Sequence, residues 1–581
     1  MRLLLKKIYL IILSTSILFL STTSWLQANT SNYTKKDVSN YLSGIISSDQ
    51  NNHSKAYKHF NETQFLKKEH KKFNIQYIYT LILLEKFKES VVFSKSIWKE
   101  NELFFELDLI LGIDYFIKND YVKAEEHFNR LRINKNTGYE DVKFTDLIFK
   151  DFLGDILKIW VKASTNDKES AYKILNSIPE RYHTLTKIQK NFLNCYFDLP
   201  ETENFLRETI DKDENNFPRY NFFLTNHLIF KNKIKEAEKV ISSSRIKNSS
   251  NLLLKQTEKL IINKKEIKIK DFFDCKDPKD NIAENFYIMA NLYSTQDNYN
   301  LSNFYLKIAL FLNSEFQPYK ALLAENYYFQ KKFVLSQKNF NSIKSIGSVY
   351  SWYAAKNIVR IKLKKSDNKS DRKKIIDSLQ KELNSLSKPD FEDYFELANF
   401  YNENEYYDKS IKYYSLALKD VEKKNFLISK ILYRRGTSYE RLGEWEKAER
   451  DFNESLNISP NNPDVLNYLA YSWIEKNKNV SKALKMLVLA DKLKSNNGYI
   501  TDSLGWAYYK NREYVKAENF LRKAIALMPL DETINDHYAD ILWKLNKKIQ
   551  ARYFWSYVLN LENIDTALKE KINKKLLFGI E

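Results

Sequence analysis

Small residues recur along the C-terminal part of this chain at a nearly constant spacing. Gly436, Ala470, Gly505 and Ala539 follow one another at intervals of about 34 residues. Each is followed twelve or thirteen residues later by an alanine, and four residues beyond that by a large apolar side chain. A small residue is needed where two helices cross closely, and a large one fills the adjoining space. The spacing therefore predicts a repeated pair of packed helices.

A helix-turn-helix unit repeated about every 34 residues resembles the tetratricopeptide repeat. The register extends upstream, where Gly44, Ile78 and Gly112 recur at the same interval, and it degrades between such anchors. A single helix pair cannot bury its apolar stripe alone, so about fourteen pairs between Asp37 and Asp565 would have to stack on one another. We therefore predict an all-α fold, a tetratricopeptide-type α-solenoid that winds as a right-handed superhelix.

Composition supports a helical chain and argues against a nucleic-acid partner. With 10 Gly and 9 Pro in 581 residues, the chain has few of the residues that favour β-hairpins. The formal net charge is +19, but only 16 of the 93 basic residues are Arg, and the Lys are spread among Asn, Ile, Tyr and Phe. No basic run alternates with aromatics as in a nucleic-acid module. We expect no nucleic-acid binding.

Two cysteines, Cys195 and Cys275, lie far apart in the sequence, in different predicted helix pairs. A disulfide between them can form in an oxidising compartment, but their separation in the sequence favours two unpaired thiols. The seven histidines are scattered without the spacing of metal ligands. We expect no metal site and no cofactor.

The N-terminus has the pattern of a secretory signal. Three basic residues precede the apolar stretch 8–20, and a small residue, Ala28, follows after a polar segment. These features predict a signal peptide over residues 1–28, and an uncleaved membrane anchor over 8–25 is the alternative. In both cases the positive flank stays inside, so the repeats are expected in the periplasm or cell envelope.

The pattern divides the chain into predicted segments. A degenerate array over 29–250 precedes an irregular joint over 251–282, which is rich in Lys and Asn and fits no repeat. A second array covers 283–565, with its clearest repeats at 391–565, and a capping helix covers 566–581. We expect the lysines of this last helix to face solvent: Lys569, Lys571, Lys574 and Lys575.

The first helix of each tetratricopeptide unit lines the concave surface, so the register predicts which side chains point inward. These positions are predominantly aromatic or acidic in the last four units, and aromatics with a polar group are common binding hot spots. The predicted partner-binding residues are Tyr433, Asn467, Tyr471, Tyr499, Asp502, Trp506, Tyr509, Asp536, Asp540 and Trp543. The aspartates would favour basic or amide groups. Packing of the tryptophans, and capping or solvation of the aspartates, are the structural alternatives.

Three runs, at 466–473, 502–509 and 534–540, resemble tetratricopeptide proteins of the bacterial envelope. Some of those relatives are outer-membrane lipoproteins that bring a processing protease together with cell-wall hydrolases, and the resemblance implies an adaptor role. This chain departs from them because no cysteine for lipidation lies near residue 28.

We therefore expect a non-catalytic, exported scaffold that holds a protein or peptide partner in its concave groove. One alternative is a structural subunit that acts through its convex surface. A second is an enzyme with repeats attached to a catalytic domain. The sequence shows no Gly-rich phosphate loop, nucleophile elbow or paired catalytic carboxylates, and we predict no catalytic residues.

Overall fold

The structure, a computed structural model, describes residues 34–68, 70–100, 102–131, 150–211, 218–248, 250–386, 389–421, 427–561 and 564–580. Within these ranges every regular element is a helix, so the all-α prediction is confirmed. The predicted signal peptide (1–28) and its alternative as an anchor (8–25) lie outside the described residues.

The chain divides into two units between Ile361 and Lys362, called unit 1 and unit 2 below. Unit 1 contains α1 (Lys35–Asp49), α2 (His53–Asn61), α3 (Lys71–Leu83), α4 (Phe87–Ile97), α5 (Phe105–Ile117), α6 (Tyr121–Asn129), α7 (Lys150–Ser164), α8 (Lys168–Ser177), α9 (His183–Tyr196), α10 (Thr202–Asp211), α11 (Arg219–Phe230), α12 (Ile234–Lys247), α13 (Leu252–Ile262), α14 (Ile267–Phe272), α15 (Pro278–Thr295), α16 (Tyr299–Leu312), α17 (Tyr319–Phe329), α18 (Phe333–Ile343) and most of α19 (Ser348–Leu363).

Unit 2 contains α20 (Lys369–Asn384), α21 (Phe391–Glu403), α22 (Tyr407–Asp420), α23 (Leu427–Arg441), α24 (Trp445–Ile458), α25 (Pro463–Glu475), α26 (Val480–Leu493), α27 (Gly498–Lys510), α28 (Tyr514–Leu527), α29 (Glu532–Lys544), α30 (Lys548–Leu559) and α31 (Thr566–Phe578). Within each unit successive helices pack as pairs, as the register predicts. Residues 251–282, which the sequence marks as a joint, hold the short helices α13 and α14 and begin α15. The extents of the two arrays stay a prediction.

The turn inside most helix pairs depends on one residue with a positive φ angle. Examples are Asn51, Asn119, Asn232 and Asn546, with φ angles of 58°, 61°, 58° and 63°. Asparagine tolerates this left-handed region better than most residues because its short side chain can hydrogen-bond locally. A chain rich in Asn can therefore make many tight helix–helix turns with few glycines.

The repeat register has the packing role predicted from the sequence. In four pairs a glycine of the first helix lies against the large residue sixteen positions later on the second helix, and an added Cβ would overlap that side chain. The four contacts are Gly44 with Phe60, Gly112 with Phe128, Gly436 with Phe452, and Gly505 with Leu521. Larger residues at these positions would force the helix axes apart.

Unit 1 folds back on itself. Helix α16 packs on α3, where the Tyr79 hydroxyl donates to the Asn300 carbonyl at 2.9 Å and the Tyr79 ring stacks on Phe304 at 5.3 Å. One apolar core runs through the unit from Ala56 to Tyr327. Where α16 covers α3, the surface of the first pairs is filled by the chain's own side chains.

The two cysteines are bonded to each other. Cys195 lies at the end of α9 and Cys275 in the turn before α15, with Cα atoms 5.9 Å apart. The expectation of two unpaired thiols is therefore wrong. The intervening helices stack so that Cys275, 80 residues after Cys195, lies next to it. The separation in sequence does not reveal that the two residues are close in space.

Candidate functional site

Unit 2 contains a cavity of about 370 Å³ bounded by four successive helix pairs. All its lining residues belong to α23, α25, α27 and α29 or to the turns directly beside them. These are the first helices of their pairs, as the sequence predicted for a concave surface. The cavity is called the unit 2 groove below.

Four of the ten predicted binding residues line the groove: Asn467, Tyr471, Tyr499 and Asp502. Tyr499 is 55% exposed, so its ring is available to a partner. The side-chain oxygen of Asn467 is buried and accepts no hydrogen bond from the described part of the chain. Burial, with the carboxylates of Glu475 and Asp502 nearby, raises the pKa of Tyr471, so its hydroxyl stays neutral. The groove thus offers the exposed ring of Tyr499, the neutral hydroxyl of Tyr471 and an amide oxygen that is not used within the described residues.

Carboxylates outnumber cations in the groove lining. The acids are Glu440, Glu475, Asp502 and Asp531, and the bases are Arg441 and Lys476. Sequence reasoning did not select Glu475 or Asp531, which lie at the end of α25 and just before α29. For Glu475 a signal exists, because the four-residue spacing from Asn467 through Tyr471 continues to it. Acidic side chains are thus in excess among the lining residues.

Trp506, Tyr509 and Tyr433 pack beside the groove and are not part of its lining. The Trp506 indole is 7% exposed, donates to Glu475 at 2.6 Å, and stacks on Tyr509 at 4.6 Å. Tyr433 is half-buried, 6.0 Å from Tyr468 and 6.2 Å from Phe452. These residues fix the groove wall, and Trp506 does so by orienting Glu475.

Asp536 and Asp540 form ion pairs with the C-terminal helix α31. Lys575 donates to Asp536 at 2.6 Å and to Asp540 at 2.7 Å, and Lys571 donates to Asp536 at 3.2 Å. Lys575 is buried, so the expectation that it faces solvent is wrong. The Trp555 indole also donates to Asp540, at 3.1 Å. This set is called the lysine–aspartate cluster below.

Within the cluster the pKa values of the two carboxyl groups are shifted in opposite directions. Burial raises the pKa of Asp536, but Lys575 and Lys571 outweigh it and leave that pKa below its ordinary value. For Asp540, burial and the charge of Asp536 together outweigh Lys575 and raise the pKa. Asp536 therefore holds its charge more strongly than Asp540.

Trp543, the last predicted binding residue, is covered by the C-terminal end of the chain. Its indole donates to the Ile580 carbonyl at 3.0 Å. Gly579 packs against the same ring, so closely that a Cβ there would overlap it. Three predicted inward residues of α29, Asp536, Asp540 and Trp543, are thus used by contacts within the chain itself.

Asp502 connects the groove to the next helix through a buried ion pair with His537. The carboxylate lies 3.0 Å from His537 Nδ1, and the imidazole stacks on Trp506 at 3.9 Å. Burial lowers the pKa of His537, but the charge of Asp502, aided by Asp536 and Asp540, outweighs burial and raises it overall. His537 thus holds its proton to a higher pH than a solvated histidine.

Unit 2 should lose stability as the pH rises above about 6.5, the ordinary histidine pKa. Because the pKa of His537 is raised on folding, its stabilising contribution is complete below that pH and disappears as the pH rises through the folded value. His537 is the only histidine in residues 362–581. We expect His537→Asn to flatten this slope in urea midpoints measured across the neutral range. An unchanged slope would exclude the pair as its source.

A family profile described as tetratricopeptide repeat matches residues 429–462, the part of the chain that holds α23 and α24. This match shows a tetratricopeptide repeat in unit 2, and the stacked helix pairs of both units have the fold class that such repeats form, an all-α solenoid. The class is one of protein-binding scaffolds.

Particular relatives match only parts of the chain. A TPR repeat-containing protein of Pseudomonas aeruginosa is 27% identical over 110 residues, which is 19% of this chain and 18% of that protein. The match thus spans less than a fifth of the relative's length. Among solved structures, a thermophilic TPR protein of Thermus thermophilus covers 32% of this chain and 100% of its own, with 19% identity and a TM-score of 0.29. The match to yeast Tom70 covers 81% of this chain and 93% of the Tom70 chain, with 16% identity and a TM-score of 0.33.

The described ranges hold neither a metal-binding arrangement nor a membrane-spanning helix. No three His, Cys, Asp or Glu side chains there are placed to hold a metal ion. None of the described helices has the length and apolar character needed to cross a membrane.

Proposed function

We propose that this protein is an exported, non-catalytic scaffold that holds an extended segment of a partner protein in the unit 2 groove. One observation carries the proposal: the groove combines an exposed tyrosine, Tyr499, with an unpartnered amide oxygen, that of Asn467. A side-chain amide in a groove commonly pairs with a peptide backbone, and an exposed tyrosine is a common anchor in interfaces.

The charge of the groove defines the partner chemistry. The lining holds four carboxylates against two cations. Asp502 is already paired with His537, and the other three carboxylates favour a segment with Lys or Arg side chains. Complementary charge mainly sets specificity and the association rate, whereas aromatic contacts supply most of the affinity. A basic segment that also has an apolar or aromatic residue to contact Tyr499 meets both requirements, complementary charge and an aromatic contact.

The disulfide supports export. Structural disulfides persist in oxidising compartments such as the periplasm and are rare in the cytosol. The Cys195–Cys275 bond and the predicted signal peptide therefore agree. Mass spectrometry of the protein from fractionated cells should find a periplasmic form that begins after Ala28 with both thiols oxidised. A reduced, full-length cytosolic form would contradict this.

Tyr499→Ala combined with Asp531→Asn should weaken partner binding about thirtyfold or more, as expected for a hot-spot loss above about 2 kcal/mol. The asparagine keeps the N-cap of α29, which the Asp531 side chain provides by accepting from Ile534, while removing the charge. Peptides selected by the intact protein from a displayed library can be measured by fluorescence anisotropy, with circular dichroism to check helicity.

A second candidate function, contact through the convex surface, is favoured by exposed apolar residues on the second helices. Ile549 and Tyr553 on α30 are 86% and 65% exposed. Ile549→Ser with Tyr553→Ser is therefore the matched control for the groove variant. Loss of capture in this variant, with normal capture by the groove variant, would assign function to the convex side.

A further inference from the structure

Unit 1 contains a cavity of about 530 Å³ that the tetratricopeptide groove does not explain. It lies between the segment that follows α2 and the turn that joins α4 to α5. Four lysines line it: Lys67, Lys68, Lys71 and Lys99. It is called the lysine cavity below.

Positive charge dominates this lining. Glu102 is the one carboxylate among the described lining residues, and it pairs with Lys99 at 2.7 Å. Lys71 donates to the Leu103 carbonyl at 3.3 Å, so its amine is held at the rim. The remaining positive charge favours an anionic occupant.

Two buried polar atoms in the lining lack a partner within the described residues. The Asn74 oxygen accepts no hydrogen bond although the residue is 7% exposed, and the Trp98 indole N–H donates none. The Asn74 nitrogen donates to the Lys67 carbonyl at 2.9 Å, which fixes the amide and leaves its oxygen without a partner among the described residues. A buried polar group without a partner is costly because it has lost its water, so an occupant that meets both groups would be favoured.

We propose that the lysine cavity binds an acidic peptide segment of a partner protein. A peptide group carries a donor and an acceptor side by side, so its N–H can donate to Asn74 and a carbonyl can accept from Trp98. Acidic side chains on the same segment would pair with Lys67 and Lys68. A bare anion has no N–H for Asn74, which is why a peptide fits better than phosphate. This site is separate from the unit 2 groove and goes beyond the function proposed for it.

The test uses the full chain and a fluorescein-labelled peptide of four Glu-Gly repeats, measured by fluorescence anisotropy. Lys67→Glu with Lys68→Glu should weaken binding on the order of tenfold or more, since it reverses two charges at the site. Trp98→Phe keeps a ring but removes the N–H, and should weaken binding about threefold to tenfold, the worth of one hydrogen bond.

The matched control is Lys72→Glu with Lys88→Glu, which makes the same charge change at two exposed residues outside the cavity. Binding close to that of the unchanged chain in this control supports the site, provided that urea midpoints show all variants folded. Equal weakening by both lysine pairs would overturn the proposal in favour of general attraction by net charge. Full competition by tripolyphosphate, together with no effect of Trp98→Phe, would overturn the peptide assignment.

Discussion

Replacing Lys575 with methionine is expected to destabilise the C-terminal end of unit 2 by about 3 kcal/mol, the lower end of the cost of breaking a buried ion pair. Lys575 is buried between Asp536 and Asp540 and donates to both. Without it, two carboxyl groups remain buried side by side with one cation, Lys571, which reaches only Asp536. The penalty of these uncompensated charges is the source of the loss.

Hydrogen exchange followed by mass spectrometry measures this loss of stability helix by helix. A cost of about 3 kcal/mol corresponds to roughly a hundredfold faster exchange in α31 when it opens independently. Lys574→Met is the matched control, because Lys574 is the exposed neighbour on the same helix. Equal exchange in the two variants would show that the cluster does not hold α31.

Neutralising the three buried charged groups of the cluster should restore most of the stability. In Lys575→Met with Asp536→Asn and Asp540→Asn, no buried charge is left uncompensated, because the remaining cation, Lys571, is exposed. The amide that replaces the Asp540 carboxylate retains an oxygen, which can still accept from the Trp555 indole. If this triple variant is as unstable as Lys575→Met alone, lost packing by the lysine stem is the cause.

Removing the Cys195–Cys275 bond is expected to lower the free energy of unfolding of unit 1 by about 2–5 kcal/mol, as for other native disulfides. The bond closes a loop of 80 residues that includes α10 to α14. For a loop of this length the chain-entropy estimate is about 4.5 kcal/mol. Its effect on the unfolded chain should therefore be large.

Chemical denaturation with and without dithiothreitol checks this prediction. The reductant should lower the denaturation midpoint of the intact protein. It should not change the midpoint of the double variant Cys195→Ala with Cys275→Ala. Hydrogen exchange should rise in α9 to α15 and stay constant in unit 2. A midpoint insensitive to the reductant would show that the bond contributes little stability.

The sequence predicted the repeating part of this fold because the relevant interactions are local. Gly112 and Phe128 are sixteen positions apart and meet within one helix pair, so their spacing reports the contact directly. The same register placed Asn467, Tyr471, Tyr499 and Asp502 on first helices, where they line the unit 2 groove.

The same reasoning could not separate Asp502 from Asp536, because they occupy equivalent positions in successive repeats. Asp502 borders the groove, whereas Asp536 pairs with Lys575 from a helix that follows the last repeat. Which neighbour covers an inward residue depends on where the array ends. A period carries no information about such an end.

The sequence by itself thus determined the helix pairs, their all-α class and, in unit 2, which helices line the groove, because these follow from contacts within about 34 residues. Tertiary structure alone decided which inward residues stay available to a partner, the pairing of Cys195 with Cys275, and the packing of α16 on α3. Those contacts join residues 80 or more positions apart in unit 1, and a final helix to its neighbours in unit 2. They depend on how successive pairs stack. That stacking is set by a small rotation at each pair, and the rotations add up along the chain.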